Sequence, residues 1–194
     1  MGLAACGGSE ERQDEAEPSG EYPVEVVNSK FPLRQRLAET TDLELGVENT
    51  GEETIPNLAV TIFIDDGAAG SFSIREDNPA LANPNRPVWI LENKFPRIEG
   101  EEAPEGSSPG TVAQTNTFGF GELPAGERLE IVWKLTPVKS GTYTVNYELS
   151  AGLFGNAKAV DSSGAQPKGK FLVTITDKPS VGSVDDAGQV ETTG

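Results

Sequence analysis

The feature that most constrains this chain is a two-residue alternation of large apolar residues with mostly polar or smaller ones over five separate stretches. Leu43, Leu45 and Val47 alternate with Asp42, Glu44, Gly46 and Glu48, and after a turn Leu58, Val60, Ile62 and Ile64 alternate with Ala59, Thr61 and Phe63. Leu129, Ile131, Trp133 and Leu135, then Tyr143, Val145, Tyr147 and Leu149, then Phe171, Val173 and Ile175 repeat the pattern. A period of two places every second side chain on one face, which is the signature of a half-buried strand. Tyr22 to Val27 and Thr117 to Phe120 are shorter candidates. No stretch sustains a 3.6-residue period; Leu33 to Glu39 or Asn78 to Ala82 would form at most a turn or two of helix. Sheets with one apolar face close on one another, so the expected fold class is all-β, a two-layer β-sandwich.

Residues 22–178 are enough for one domain with its own core. Residues 1–21 are acidic, with Glu10, Glu11, Asp14, Glu15, Glu17 and Glu21 against Arg12 alone, and hold too little apolar surface to offset ordering entropy. They are expected to form a flexible tether; as a coil, about 15 residues span roughly 20 Å. Residues 179–194 are expected to be a disordered tail. No apolar run approaches the length of a spanning helix. A net charge of −16 argues against nucleic acid, whose phosphates require clustered Lys and Arg. With one cysteine the domain has no internal disulfide and depends on its core.

That cysteine, Cys6, sits in Leu3-Ala4-Ala5-Cys6-Gly7, which resembles the lipobox of bacterial lipoproteins. The resemblance implies a thioether-linked diacylglyceryl group on Cys6, cleavage before it, and a membrane anchor on the outer side of a bacterial cell envelope. The basic and apolar regions of such a signal peptide are then expected upstream of Met1. Without lipid the chain is expected to be soluble.

Other residues resemble bacterial immunoglobulin-like modules, in particular the cell-adhesion-related, CARDB-like type. The matching pieces are Leu45-Gly46-Val47-Glu48-Asn49-Thr50-Gly51 followed by Ile55-Pro56-Asn57-Leu58, the turn Leu123-Pro124-Ala125-Gly126-Glu127 before a Trp-bearing strand, and Ser140-Gly141-Thr142-Tyr143-Thr144-Val145. The resemblance implies an immunoglobulin-like sandwich with Tyr143 at the tyrosine-corner position. Val145 stands where antibody domains have a cysteine. In the first turn a positive φ at Gly51 and a local side-chain bond from Asn49 or Thr50 are expected.

The stretch 65–112 is far longer than a hairpin connection and carries Arg86-Pro87-Val88-Trp89-Ile90-Leu91, a candidate extra strand, followed by a Gly/Pro/Glu-rich loop, 99–110. Gly152 to Gly169 is a second irregular region. Binding is expected in such connections, so the candidate residues are Arg86 and Trp89 in the first and Phe154 and Lys158 in the second. Core packing explains Trp89 equally well. The shared tripeptide Lys30-Phe31-Pro32 and Lys94-Phe95-Pro96 has no alignable surroundings and indicates no repeat.

Catalysis has little to draw on. The chain has no histidine, its cysteine belongs to the lipobox, and its many carboxylate pairs, such as Asp65-Asp66, Glu101-Glu102 and Asp185-Asp186, carry no information in so acidic a sequence. Asp65-Asp66-Gly67 offers oxygen ligands but lacks the register of a calcium loop; no cofactor and no metal are assigned. The sequence therefore points to a non-catalytic envelope lipoprotein whose sandwich binds or assembles with a protein or glycan partner. A carbohydrate-binding accessory protein and an enzyme using cryptic carboxylates are the alternatives.

Overall fold

The computed structural model describes residues 17–64, 72–74, 87–100, 111–114, 116–177, 181–184 and 190–193. Its strands are β1 (Gly20–Lys30), β2 (Arg34–Arg36), β3 (Thr41–Asn49), β4 (Ala59–Ile64), β5 (Phe72–Ile74), β6 (Trp89–Leu91), β7 (Arg97–Ile98), β8 (Thr111–Gln114), β9 (Thr117–Gly119), β10 (Arg128–Pro137), β11 (Gly141–Ser150), β12 (Ala157–Val160), β13 (Lys168–Thr176), β14 (Val181–Val184) and β15 (Val190–Thr193). All five alternating stretches are strands, as the two-residue period requires.

One sheet has the order β12-β1-β3-β10-β6-β5, with β7 also on β10, and the other β2-β13-β11-β4-β9-β8. In immunoglobulin lettering these are A-B-E-D and A′-G-F-C-C′, so the fold is an immunoglobulin-like β-sandwich. It departs from the standard order at two points: β12, between β11 and β13 in sequence, adds in parallel to the edge beside β1, and the segment between β4 and β10 is rerouted. Residues following β4 join the first sheet's edge as β5 to β7 and only then return to pair beside β4 as β8 and β9. Within the long insertion, the strand anticipated around Arg86–Leu91 is β6.

The inward residues of both sheets meet in one core. Leu43, Leu45, Val47, Ile131, Trp133 and Leu135 from the first sheet face Val60, Ile62, Val145, Leu149, Val173 and Ile175 from the second, all at most 2% exposed. Each large side chain so buried contributes about 2 kcal/mol of gross stabilisation. Trp133 lies edge-on to Phe118 and Phe120, with centroids 6.2 and 5.8 Å away. The Tyr143 hydroxyl donates to the Ser140 carbonyl at 2.9 Å, the tyrosine-corner bond that fixes the turn into β11.

Four expectations need correction. Leu33–Glu39 is not helical: Arg34–Arg36 pairs in parallel with Thr174–Thr176, and buried Gln35 faces inward. Pairing and burial there override a helix-compatible sequence too short to nucleate alone. Gly51 does not adopt positive φ; it is needed because a Cβ there would stand 2.9 Å from Pro23 Cδ. The local side-chain bond does exist, with Asn49 Oδ1 accepting from the Gly51 amide at 3.0 Å. The ordered domain starts before Tyr22, since Gly20–Pro23 pairs in parallel with Ala157–Val160. Finally, the C-terminal segment contains a hairpin, Val181–Val184 against Val190–Thr193, whose β-branched valines and threonines suit paired strands. The lipobox, most of the 99–110 loop, Asp65-Asp66-Gly67 and Asn78–Ala82 lie outside the described residues.

Candidate functional site

The sequence-derived binding residues that are described do not converge. Cys6 and Arg86 lie outside the described residues. Trp89 is 0% exposed and belongs to the core, so it offers no surface anchor. The reason is pairing: Trp89–Leu91 joins the end of β10, which turns the indole inward, where Nε1 donates to Gln35 Oε1 at 2.8 Å. Gln35 Nε2 in turn donates to the Pro32 carbonyl at 2.9 Å. Phe154 is 50% exposed and Lys158 is exposed, both at the pole where β11 ends, away from Trp89 beside the end of β10.

The loop that carries Phe154 is already engaged. Glu17 Oε1 accepts from the Phe154 amide at 3.1 Å and Oε2 from the Asn156 amide at 2.9 Å. The carboxylate occupies space that a side chain at Gly152 would fill, and Gly155 takes φ +90° to turn the loop around it. Backbone amides converging on a carboxylate in this way form an anion nest. The nest here holds the chain just before β1.

A concavity among the described residues lies elsewhere, where the chain leaves β1 in one sheet and enters β2 in the other. It is an open groove of about 540 Å³ lined by Ser29, Lys30, Phe31, Pro32, Leu33, Asp42, Glu44 and Phe171. Its floor is aromatic. Phe31 packs against Trp89 and Phe171, each at 5.8 Å between centroids, and Phe171 against Tyr147 at 5.8 Å. Leu33 on the rim is 54% exposed. The other rim carries Lys30 and Glu44, paired at 3.3 Å, with Asp42 beside them. Apolar floor, a rigid aromatic base and a few charges at the lip suit capture of an apolar side chain.

The outer face of the second sheet adjoins this groove and reverses the chain's charge. Across β2, β13, β11 and β4 it carries Arg34, Arg36, Lys168 and Lys170 against Glu148, with Leu172 63% exposed among threonines. Phe63, also on this face, is half-buried. Ion pairs among the described residues are Lys30–Glu44 and Arg128–Glu130, both on the first sheet. On that sheet's outer face Phe95 is flanked by the Arg97 guanidinium, 4.7 Å from its centroid, and Lys134 Nζ, 5.3 Å away. The perturbed carboxyl among the described groups is Asp161. Hydrogen bonds first from the Ser163 side chain, then from the amides of Ser163 and Ala165, hold it below the usual carboxylate range, which is turn chemistry.

Sequence reasoning passed over Phe31, Gln35 and Leu33. The only available signal was the Lys-Phe-Pro scrap, which contains Phe31.

No protein-family model and no curated protein sequence matches this chain. Among solved structures, the CARDB domain of a Pyrococcus furiosus protein is similar over 87% of this chain and 100% of that one, with 12% identity and a TM-score of 0.46. AvmM, which catalyses macrocyclization in alchivemycin A biosynthesis, is similar over 82% of this chain and 91% of its own, at 15% identity and TM-score 0.43. Salmonella alpha-2-macroglobulin is similar over 83% of this chain and 8% of its own, at 13% identity and TM-score 0.41.

Proposed function

We propose that this protein is a non-catalytic binding or assembly module of the bacterial cell envelope, anchored by lipid on Cys6, and that the groove between β1 and β2 is its recognition surface. One observation supports the reading: the first described residues and the groove lie at opposite ends of β1. Glu17 is held by the loop at the start of β1, whereas Ser29–Leu33 of the groove follow about nine residues further on, roughly 30 Å along an extended strand. A chain anchored through its N-terminal segment therefore carries the groove away from its anchor.

Sugar binding by an aromatic platform is less well supported. Trp89 is in the core, and Phe154 and Phe63 lie on different surfaces, so among the described residues these rings form no flat exposed pair for stacking.

Expression in a bacterium behind a full lipoprotein signal tests the anchor. Mass spectrometry is expected to find diacylglyceryl on Cys6 and the protein in the membrane fraction, with Cys6→Ser released to the soluble fraction; an unlipidated, equally membrane-bound Cys6→Ser protein sinks that part. A photo-crosslinker at Leu33, compared with one at exposed Glu52, tests the groove. A discrete adduct from position 33 alone is expected, and equal yields from both positions reject it.

A further inference from the structure

We propose that the groove and the neighbouring edge of β13 together capture an extended, acidic polypeptide segment of a partner, which adds to the second sheet as a short strand. This deepens the reading of the groove as the recognition surface and rests on it.

The backbone supplies the first argument. The Thr174 amide donates to the Leu33 carbonyl at 2.9 Å, and the Leu37 amide donates to the Thr176 carbonyl at 3.1 Å. Even-numbered residues of β13 thus aim their amides and carbonyls away from β11 and toward β2. Because polar groups alternate sides along a strand, those of Leu172 and Lys170 point the same way. Yet β2 begins only at Arg34, opposite Thr174, and no described strand covers the stretch before it. Among the described residues nothing pairs with these two residues of strand edge beside the groove, which makes them a template for strand addition.

Side chains choose the occupant. A strand laid along this edge alternates its own side chains, one set toward the groove floor of Phe31 and Phe171, the other toward Lys168, Lys170 and Arg34 on the outer face. Among the described residues these three cations have no ion-pair partner. Apolar residues alternating with carboxylates match both sets. A second copy of this chain matches neither: pairing two β13 edges brings the lysines of each against like charges. Its acidic residues 7–16 hold no large apolar side chain for the groove.

The test uses the full chain, ¹⁵N-labelled, at about 0.1 M salt, with a capped seven-residue peptide alternating glutamate with valine and phenylalanine, and the same peptide with lysine for glutamate. The glutamate peptide is expected to shift the amide resonances of Lys170 and Leu172 and slow their hydrogen exchange. The lysine peptide is expected to bind at least about fivefold more weakly, and Lys168→Glu/Lys170→Glu to invert that preference. Leu172→Pro removes the outward amide while keeping the bonds to β11, a position where an edge strand tolerates proline, and is expected to abolish binding. Should that variant not fold, the charge-reversal pair decides. Undiminished binding by folded Leu172→Pro, equal binding of the two peptides, or no binding of either overturns the proposal. Shifts at Phe31 and Phe171 without protection of Lys170 and Leu172 reject strand addition while leaving the groove in use. Dimerisation without peptide that Leu172→Pro abolishes would make a second copy the occupant, and also overturns it.

Discussion

Asn49 offers the sharpest check on how the sandwich is held at the end where β3 stops. It is 0% exposed, and its side chain makes three hydrogen bonds. Nδ2 donates to the carbonyls of Glu53 at 2.8 Å and Leu123 at 2.9 Å, and Oδ1 accepts from the Gly51 amide at 3.0 Å. One amide group thus ties together the loop after β3 and the turn before β10. Asn49→Ala removes all three bonds, each worth a net of about 1 kcal/mol, so a loss of about 3 kcal/mol is expected. With a urea slope of about 2 kcal/mol/M the unfolding midpoint drops by about 1.5 M.

Asn49→Asp is nearly isosteric and separates hydrogen bonding from packing. The carboxylate still accepts from Gly51 but turns its other oxygen toward two carbonyl oxygens in a buried site. Repulsion and burial both disfavour the charged form and raise its folded pKa above the ordinary aspartate value of about 3.9. A raised folded pKa means that the folded state takes up protons first as pH falls. The aspartate variant is therefore least stable above its folded pKa and recovers as pH falls through it. Urea unfolding followed by fluorescence of the buried Trp89 and Trp133 measures this at pH 7 and pH 5, each variant against the parent chain. The expected order at pH 7 is parent, Asn49→Ala, Asn49→Asp, with the gap between the last two narrowing at pH 5. An aspartate variant as stable as the alanine one at pH 7, or a gap unchanged by pH, refutes the assignment of those two donors.

The remaining predictions concern single contacts. Gly152→Ala puts a methyl group where the Glu17 carboxylate sits, so hydrogen exchange at the Phe154 and Asn156 amides is expected to quicken as much as in Glu17→Ala, with no further increase in the double variant. Trp89→Phe is expected to cost about 1–2 kcal/mol more than Trp133→Phe in chemical denaturation. The first strands the Gln35 carbonyl oxygen in the core, whereas Trp133 Nε1 has no partner among the described residues to lose. Asp161, with its folded pKa depressed, stabilises the 161–165 turn above the unfolded aspartate pKa, and that contribution is lost as pH falls through the lower folded value. In a carboxyl NMR titration its midpoint is expected below the ordinary range and to move back toward it in Ser163→Ala.

What the sequence made legible follows from which forces are local. Strand existence and inward faces were readable because alternation records burial residue by residue, and Trp133, Val145 and Val173 point where the period says. The turn at Asn49 was readable because an Asn side chain reaches its own loop. The site was not. Trp89 looked like an anchor because its neighbours say nothing of the β10 edge that turns it inward, and Gln35 looked like part of a helical scrap because its partners, Pro32 apart, come from β6 and β13. The groove exists because Phe31–Leu33 crosses between sheets while β2 is only three residues long, and no periodicity encodes the point at which a short edge strand stops.

Net charge also misleads at the distance where binding is decided. At −16 the whole chain repels polyanions, and that holds at long range in dilute salt. At about 0.15 M ionic strength the screening length is about 8 Å, less than the thickness of one sheet-on-sheet layer. A segment lying along β13 is then governed by Lys168, Lys170 and Arg34 within its reach, with Glu44 on the far rim of the groove offset by Lys30, while the carboxylates farther along the first sheet's outer face stand across the core and are screened. Lowering the salt lengthens the screening distance and restores the repulsion of the whole molecule; raising it well above 0.15 M weakens the local lysine contacts as well. Capture of an acidic strand on this face is therefore strongest at intermediate ionic strength. A positively charged partner, drawn by the net charge, would instead lose affinity steadily as salt is added, so the shape of the salt dependence distinguishes the local surface from the global field.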